Sequence, residues 1–124
     1  MNRVALVLVV GSVLLSSLAQ IALKAGMRAR AATVGDTVPP AFAMLAGAFG
    51  HPLVWLGLLL YAASAVVWLL VLARLDVSLA YPFVALGFIV TSALGWLVFG
   101  EQLGAQRIAG TLIIAVGVVV LARS

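Results

Sequence analysis

The sequence predicts an all-α membrane protein, a bundle of four transmembrane helices forming one domain over residues 1–124. Three observations carry this expectation. The 124-residue chain is 66% hydrophobic and 8% charged, with a mean hydropathy of +1.33, far above the ~45–50% apolar usage of soluble domains. Its apolar residues fall into four runs, three free of formal charge and the last broken by Arg107. At ~20 apolar residues per crossing, the chain has room for about four helices and little else.

The first helix is expected over residues 4–23, long enough at ~1.5 Å per residue to cross ~30 Å of hydrocarbon. Asn2 and Arg3 before it, and Ala29-Arg30-Ala31 after it, resemble parts of a secretory signal. The apolar part is nevertheless longer than the ~7–15 residues of such signals, and Lys24 and Arg28 follow it directly. Residues 25–50 are expected to form a loop, basic and then apolar, with the helix-stopping pair Pro39-Pro40. Its apolar half is too short to cross and implies an interfacial helix or an N-terminal extension of the second span. The remaining helices are expected over 51–73, 77–99 and 105–122. Only fifteen residues, 108–122, lie between Arg107 and Arg123, so the last span must include its boundary residues or sit in a thinned region.

Composition also excludes chemistry. Without cysteine there is no disulfide, thiol nucleophile or thiolate metal site, and the lone His51 cannot build a metal site by itself. The acidic residues Asp36, Asp76 and Glu101 stand at helix ends or in loops, so no carboxylate reaches the midplane where a proton or cation relay needs one. No GxxxxGK[ST] phosphate loop and no nucleophile-and-base pair is present, so neither ATP hydrolysis nor another enzymatic reaction is expected, and no cofactor or metal. The net charge of +4 comes from basic residues scattered at loop ends, a distribution suited to lipid headgroups and not to nucleic acid. With four crossings, Arg3, Arg74 and Arg123 share one side, and Lys24, Arg28, Arg30 and Arg107 the other, three against four. Such balance gives insertion little instruction. Either other signals or a partner resolve it, or both orientations insert and pair as an antiparallel dimer.

Polar residues recur at helical spacing. Ser12, Ser16, Gln20 and Lys24 follow one another every four residues, with Ser17 beside them, as a stripe from mid-membrane to one end. Interhelical hydrogen bonding accounts for serines, but an uncompensated amide in hydrocarbon costs several kcal/mol, so Gln20 must face a partner or a wet cavity. Tyr61, Ser64 and Trp68 share a face of the second helix, while Trp55 suits an interface anchor. In SLAYPFVALG, Pro82 has no N–H to give the Ser78 carbonyl. Either a helix starts nearby, or the turn is loosened and opens a polar wall with Tyr81, Ala85, Phe88 and Ser92 on its face. Gly110, Ile114 and Gly117 share a face of the last helix, where small residues let backbones approach as a dimer or intrachain contact.

Taken in order, LLSSLAQIALKAG, WLLVLARLDVSLAYPFVALGF and LVFGEQLGAQRIAGTLIIAVGVVVL resemble the small, four-helix form of the drug/metabolite transporter superfamily. Two branches compete. The small multidrug resistance proteins exchange protons for cationic drugs through a first-helix glutamate, and alignment on Lys24 places Ser16 at that position. The segments VSLAYPFVALGF and FGEQLGAQRIAG resemble more closely the flippase subunits for aminoarabinose linked to undecaprenyl phosphate. That resemblance implies a multi-pass protein of the bacterial inner membrane, working as a homodimer or with a related small subunit, that carries a polyprenyl-phosphate-linked substrate among membrane lipids. Ser16, Gln20, Lys24, Tyr61, Trp68, Arg74, Tyr81 and Pro82 are then the candidate substrate contacts, with Lys24 or Arg74 attracting phosphate. The alternative is a proton-coupled exporter of cationic compounds.

Overall fold

A computed structural model describes residues 2–34 and 40–124. Among these residues, six α-helices and one 3-10 turn follow in order: α1 (Arg3–Val34), α2 (Ala41–Ala48), α3 (Pro52–Leu72), α4 (Val77–Ala80), the turn Tyr81–Phe83, α5 (Val84–Phe99) and α6 (Ala105–Ala122). Among the described residues, four helical stretches, Arg3–Ala32, Pro52–Leu72, Val77–Phe99 and Ala105–Ala122, are long and apolar enough to cross a membrane. The chain is an all-α, four-span membrane protein.

The first span corrects the expected boundary. Instead of ending near Leu23 and giving way to a loop, α1 continues to Val34. Lys24 marks where the chain leaves hydrocarbon, but charge does not stop a helix, and the Ala-, Met- and Arg-rich segment after it favours helix. At ~1.5 Å per residue the 32-residue helix is about 48 Å long, so its last turns extend beyond a ~30 Å core. The apolar segment after Pro40 forms a separate helix, α2, and not an extension of α3. A turn at Phe49–His51 divides the two, and His51 caps α3, its Nδ1 accepting the Leu53 N–H at 3.1 Å. Pro39 lies outside the described residues.

Packing centres on α1 and α3, which run antiparallel and touch along their length. Two glycines set how closely they approach. A Cβ on Gly26 would stand 2.6 Å from Val54, and one on Gly57 2.6 Å from Leu23 and 3.0 Å from the Ala19 carbonyl. Without water to expel, such backbone approach and the dispersion it allows are what hold membrane helices together. The buried core is Val9, Val13, Val71, Ala80, Phe83 and Val118, where α1, α3, the Pro82 turn and α6 meet.

The span 77–99 runs through Pro82 without a break in direction large enough to end it, but α4 tightens into the 3-10 turn before α5 resumes. Gly100, at φ 67°, ends α5 in the left-handed conformation that glycine adopts without penalty. Arg28 lies over the Phe99 ring at 5.6 Å, which fixes the C-terminal part of α1 and the end of α5 at one end of the bundle.

Candidate functional site

The pocket that gathers half of the nominated residues is a cleft of about 230 Å³. Ser12, Val13 and Ser16 enter from α1, Tyr61, Ser64, Ala65 and Trp68 from α3, and Tyr81 and Val84 from the proline turn and the start of α5. Ser12 and Ser16 lie about 14–20 Å along α1 from Arg3, Tyr61–Trp68 about 14–24 Å into α3, and Tyr81 about 6 Å into the span that begins at Val77, so the cleft runs from the middle of the spans toward the end where α3 finishes.

Its construction follows from local sequence. The four-residue serine spacing keeps Ser12 and Ser16 on one face of α1, and the spacing of Tyr61, Ser64 and Trp68 does the same on α3. Gly57 and Gly26 bring the two faces together one to several turns away. Ser12 Oγ then donates to the Ser64 carbonyl at 3.0 Å, a buried bond between helices. Ser16 Oγ donates to the Val13 carbonyl at 3.0 Å and Ser64 Oγ to the Tyr61 carbonyl at 2.7 Å. Each serine proton is thereby used internally, leaving oxygen lone pairs as acceptors. The hydroxyls of Tyr61 and Tyr81 and the Trp68 indole N–H make no hydrogen bond among the described residues. The wall thus offers acceptors from serine, donors from aromatic rims and apolar ring faces. None of its nine lining residues bears a formal charge.

The cleft is open. Tyr81 is 64% exposed and Tyr61 46%, so both stand at a rim that the chain itself leaves uncovered. The 3-10 turn explains Tyr81: with Pro82 unable to donate, the backbone tightens at Tyr81–Phe83, Phe83 turns into the core and Tyr81 turns out.

Four nominated residues, Ser16, Tyr61, Trp68 and Tyr81, come together here, and four do not. Gln20 and Lys24 continue the α1 stripe one and two turns beyond the cleft, both exposed. Arg74 is exposed past the end of α3, and Pro82 shapes the turn without lining the cavity. Of the face grouped with Tyr81, Phe88 points away, 57% exposed, and Ser92 lines a separate groove against α6. Ser12 and Ser64 complete the wall, and the signal for both was their place in the two polar faces. Ser17 is buried against Gly87, its Oγ without a hydrogen-bond partner among the described residues. On α6, a Cβ at Gly110 or Gly117 would meet nothing within 4 Å, while Ile114 packs against the core.

Comparison with known proteins finds curated relatives. The chain is 41% identical over 73 residues, 59% of its own length and 64% of the relative's, to a probable 4-amino-4-deoxy-L-arabinose-phosphoundecaprenol flippase subunit ArnE of Pseudomonas aeruginosa (strain UCBPP-PA14). A protein of the same name from Pseudomonas fluorescens (strain Pf0-1) is 40% identical over 70 residues, 56% of this chain and 61% of that one. One from Salmonella paratyphi B is 37% identical over 73 residues, 57% and 66% of the two lengths. The match spans a little under two thirds of the length of these curated relatives. No family model matches the chain, and no solved structure matches it.

Proposed function

We propose that this chain, a homologue of proteins named as aminoarabinose-phosphoundecaprenol flippase subunits, is one subunit of a flippase that carries a polyprenyl-phosphate-linked sugar, or a similar lipid-linked metabolite, across the bacterial inner membrane. The observation that carries this reading is the uncharged cleft that runs from the middle of the spans toward one end, open at its rim and lined by both hydroxyls and aromatic rings. A sugar presents hydroxyls that both donate and accept, with apolar C–H faces between them. The serine acceptors, the free tyrosine and tryptophan donors and the ring faces complement each of these in turn. An opening toward the bilayer lets the prenyl tail stay in lipid while the headgroup enters.

In this reading Ser16, Tyr61, Trp68 and Tyr81 contact the headgroup at mid-passage, and Pro82 holds the turn that presents Tyr81. Gln20 and Lys24 extend the path toward one face of the membrane and Arg74 receives phosphate at the other. A cleft of this size holds little more than one sugar ring, so the passage is completed by a second subunit, identical or related, seated on the face of Gly110, Ile114 and Gly117. Movement of the two subunits against each other would expose the cleft to alternate sides. The competing reading, proton-coupled export of cations, requires an ionisable group at the site, and Ser16 supplies only a hydroxyl.

The test is translocation in proteoliposomes containing the purified subunit with whatever partner co-purifies, followed by accessibility of a polyprenyl-phosphate sugar to an impermeant glycosidase. A roughly tenfold reduction of translocation in Trp68→Ala and Tyr81→Ala is the expected result. Substrate-dependent proton flux with no sugar movement would instead establish the exporter.

A further inference from the structure

A second opening lies on the other flank of α5. Ile89, Ser92 and Ala93 of α5 face Leu103, Ile108 and Leu112 across a groove of about 180 Å³ that also touches Arg107 and Thr111. The walls are mostly apolar, interrupted along α5 by the Ser92 hydroxyl, and one end is cationic. There Arg107, in the first turn of α6, is exposed, and its guanidinium makes a single long contact of 3.5 Å to the Gln102 carbonyl. Thr111 Oγ1 is already committed to the Arg107 carbonyl at 2.8 Å, so the hydroxyl is not seeking a partner in the groove. The cation stands at the same end of the bundle as Lys24, Arg28 and Arg30, because Arg28 sits over Phe99 at the end of α5.

We infer that this groove is a site for an anionic phospholipid, one acyl chain lying between α5 and α6 and the phosphate held by Arg107. The bilayer supplies a ligand of this two-part chemistry at this depth, and an apolar slot ending in a cation at the headgroup level complements it as a general snorkelling arginine without a slot does not. The site is separate from the cleft described above, which bears no charge and opens between α1, α3 and the proline turn. On α6 it is also separate from the glycine face. At about 100° per residue, Gly110 and Gly117 lie roughly a third of a turn from the groove's centre, and a Cβ on either meets nothing. A lipid can therefore occupy the groove while a second subunit covers the glycines. It would brace α6, which touches the rest of the chain mainly through α5 and the proline turn.

The experiment is native mass spectrometry of the full-length protein in detergent, titrated with equimolar phosphatidylglycerol and phosphatidylethanolamine, with polyprenyl phosphate as a third arm. The wild type should retain phosphatidylglycerol preferentially. Arg107→Gln should lower that retention about tenfold and Arg107→Lys largely restore it, and Ala93→Trp, which fills the slot without touching the charge, should also lower it. Equal retention of the zwitterionic lipid, retention unaffected by both Arg107→Gln and Ala93→Trp, or preference for polyprenyl phosphate would each overturn the assignment. The last outcome would make the groove part of the cargo path and leave the flippase reading standing, whereas failure of the translocation assay would leave the phospholipid site standing.

Discussion

The helices α1 and α6 are both apolar enough to span a bilayer, yet they relate to the protein in opposite ways. A third (33%) of the apolar stretch of α1 is buried within the chain, against 6% of that of α6. Along α1, glycine notches, a serine bond to α3 and a buried valine row fasten the helix to its neighbours. Along α6, Val118 is buried and Ile114 partly so, while both mid-helix glycines face open space. Hydropathy decides which segments cross, whereas small and polar residues, by where they point, decide which crossings hold each other. In lipid there is no hydrophobic drive to bring two apolar helices together, so a helix without inward-facing notches stays at the periphery, available to lipid or to another chain.

The contrast can be broken most severely at the α1–α3 contact. Gly57→Leu should force the helices apart, since even its Cβ collides with Leu23, and lower stability by about 1–3 kcal/mol, read as a drop in melting temperature in detergent. Next in size, Tyr81→Ala should reduce translocation about tenfold, the factor that 1.4 kcal/mol of lost headgroup binding produces. Because Tyr81 is 64% exposed, the melting temperature should barely move. Gly117→Leu should leave the stability of the single chain within ~0.5 kcal/mol while weakening subunit association, seen by size-exclusion light scattering. If Gly117→Leu destabilised the chain as much as Gly57→Leu, the distinction between the two helices would be wrong. A further small effect is Ser12→Ala, which removes the bond to the Ser64 carbonyl and should cost ~0.6 kcal/mol, measurable as a small shift in the same melting experiment.

The four spans were legible because each is an apolar run of crossing length. The end of α1 was not, since Lys24 marks the edge of hydrocarbon and not the end of a helix, and the residues after it are good helix formers. Half of the nominated site was legible for a related reason. Ser16, Tyr61, Trp68 and Tyr81 stood on polar faces that the packing of α1, α3 and the proline turn brings to one cleft, and Pro82 announced a changed turn. Gln20 and Lys24 share the stripe with Ser16, but helical periodicity gives a face and not a depth, and the cleft stops one turn short of them. Ser92 was grouped with Tyr81 by helical phase counted across Pro82; the 3-10 turn rotates α5 relative to α4, so Ser92 points instead to the groove beside α6.

The most direct measurement places a benzophenone side chain at Ala65, inside the cleft, or at the neighbouring Val66, at the same depth but outside the cleft and 61% exposed, and illuminates intact bacterial membranes. If the cleft carries the headgroup, position 65 captures a sugar-bearing polyprenyl phosphate while position 66 captures only bulk phospholipid. Identical lipid adducts from both positions, with no glycosylated prenyl lipid at 65, would contradict the role of the cleft.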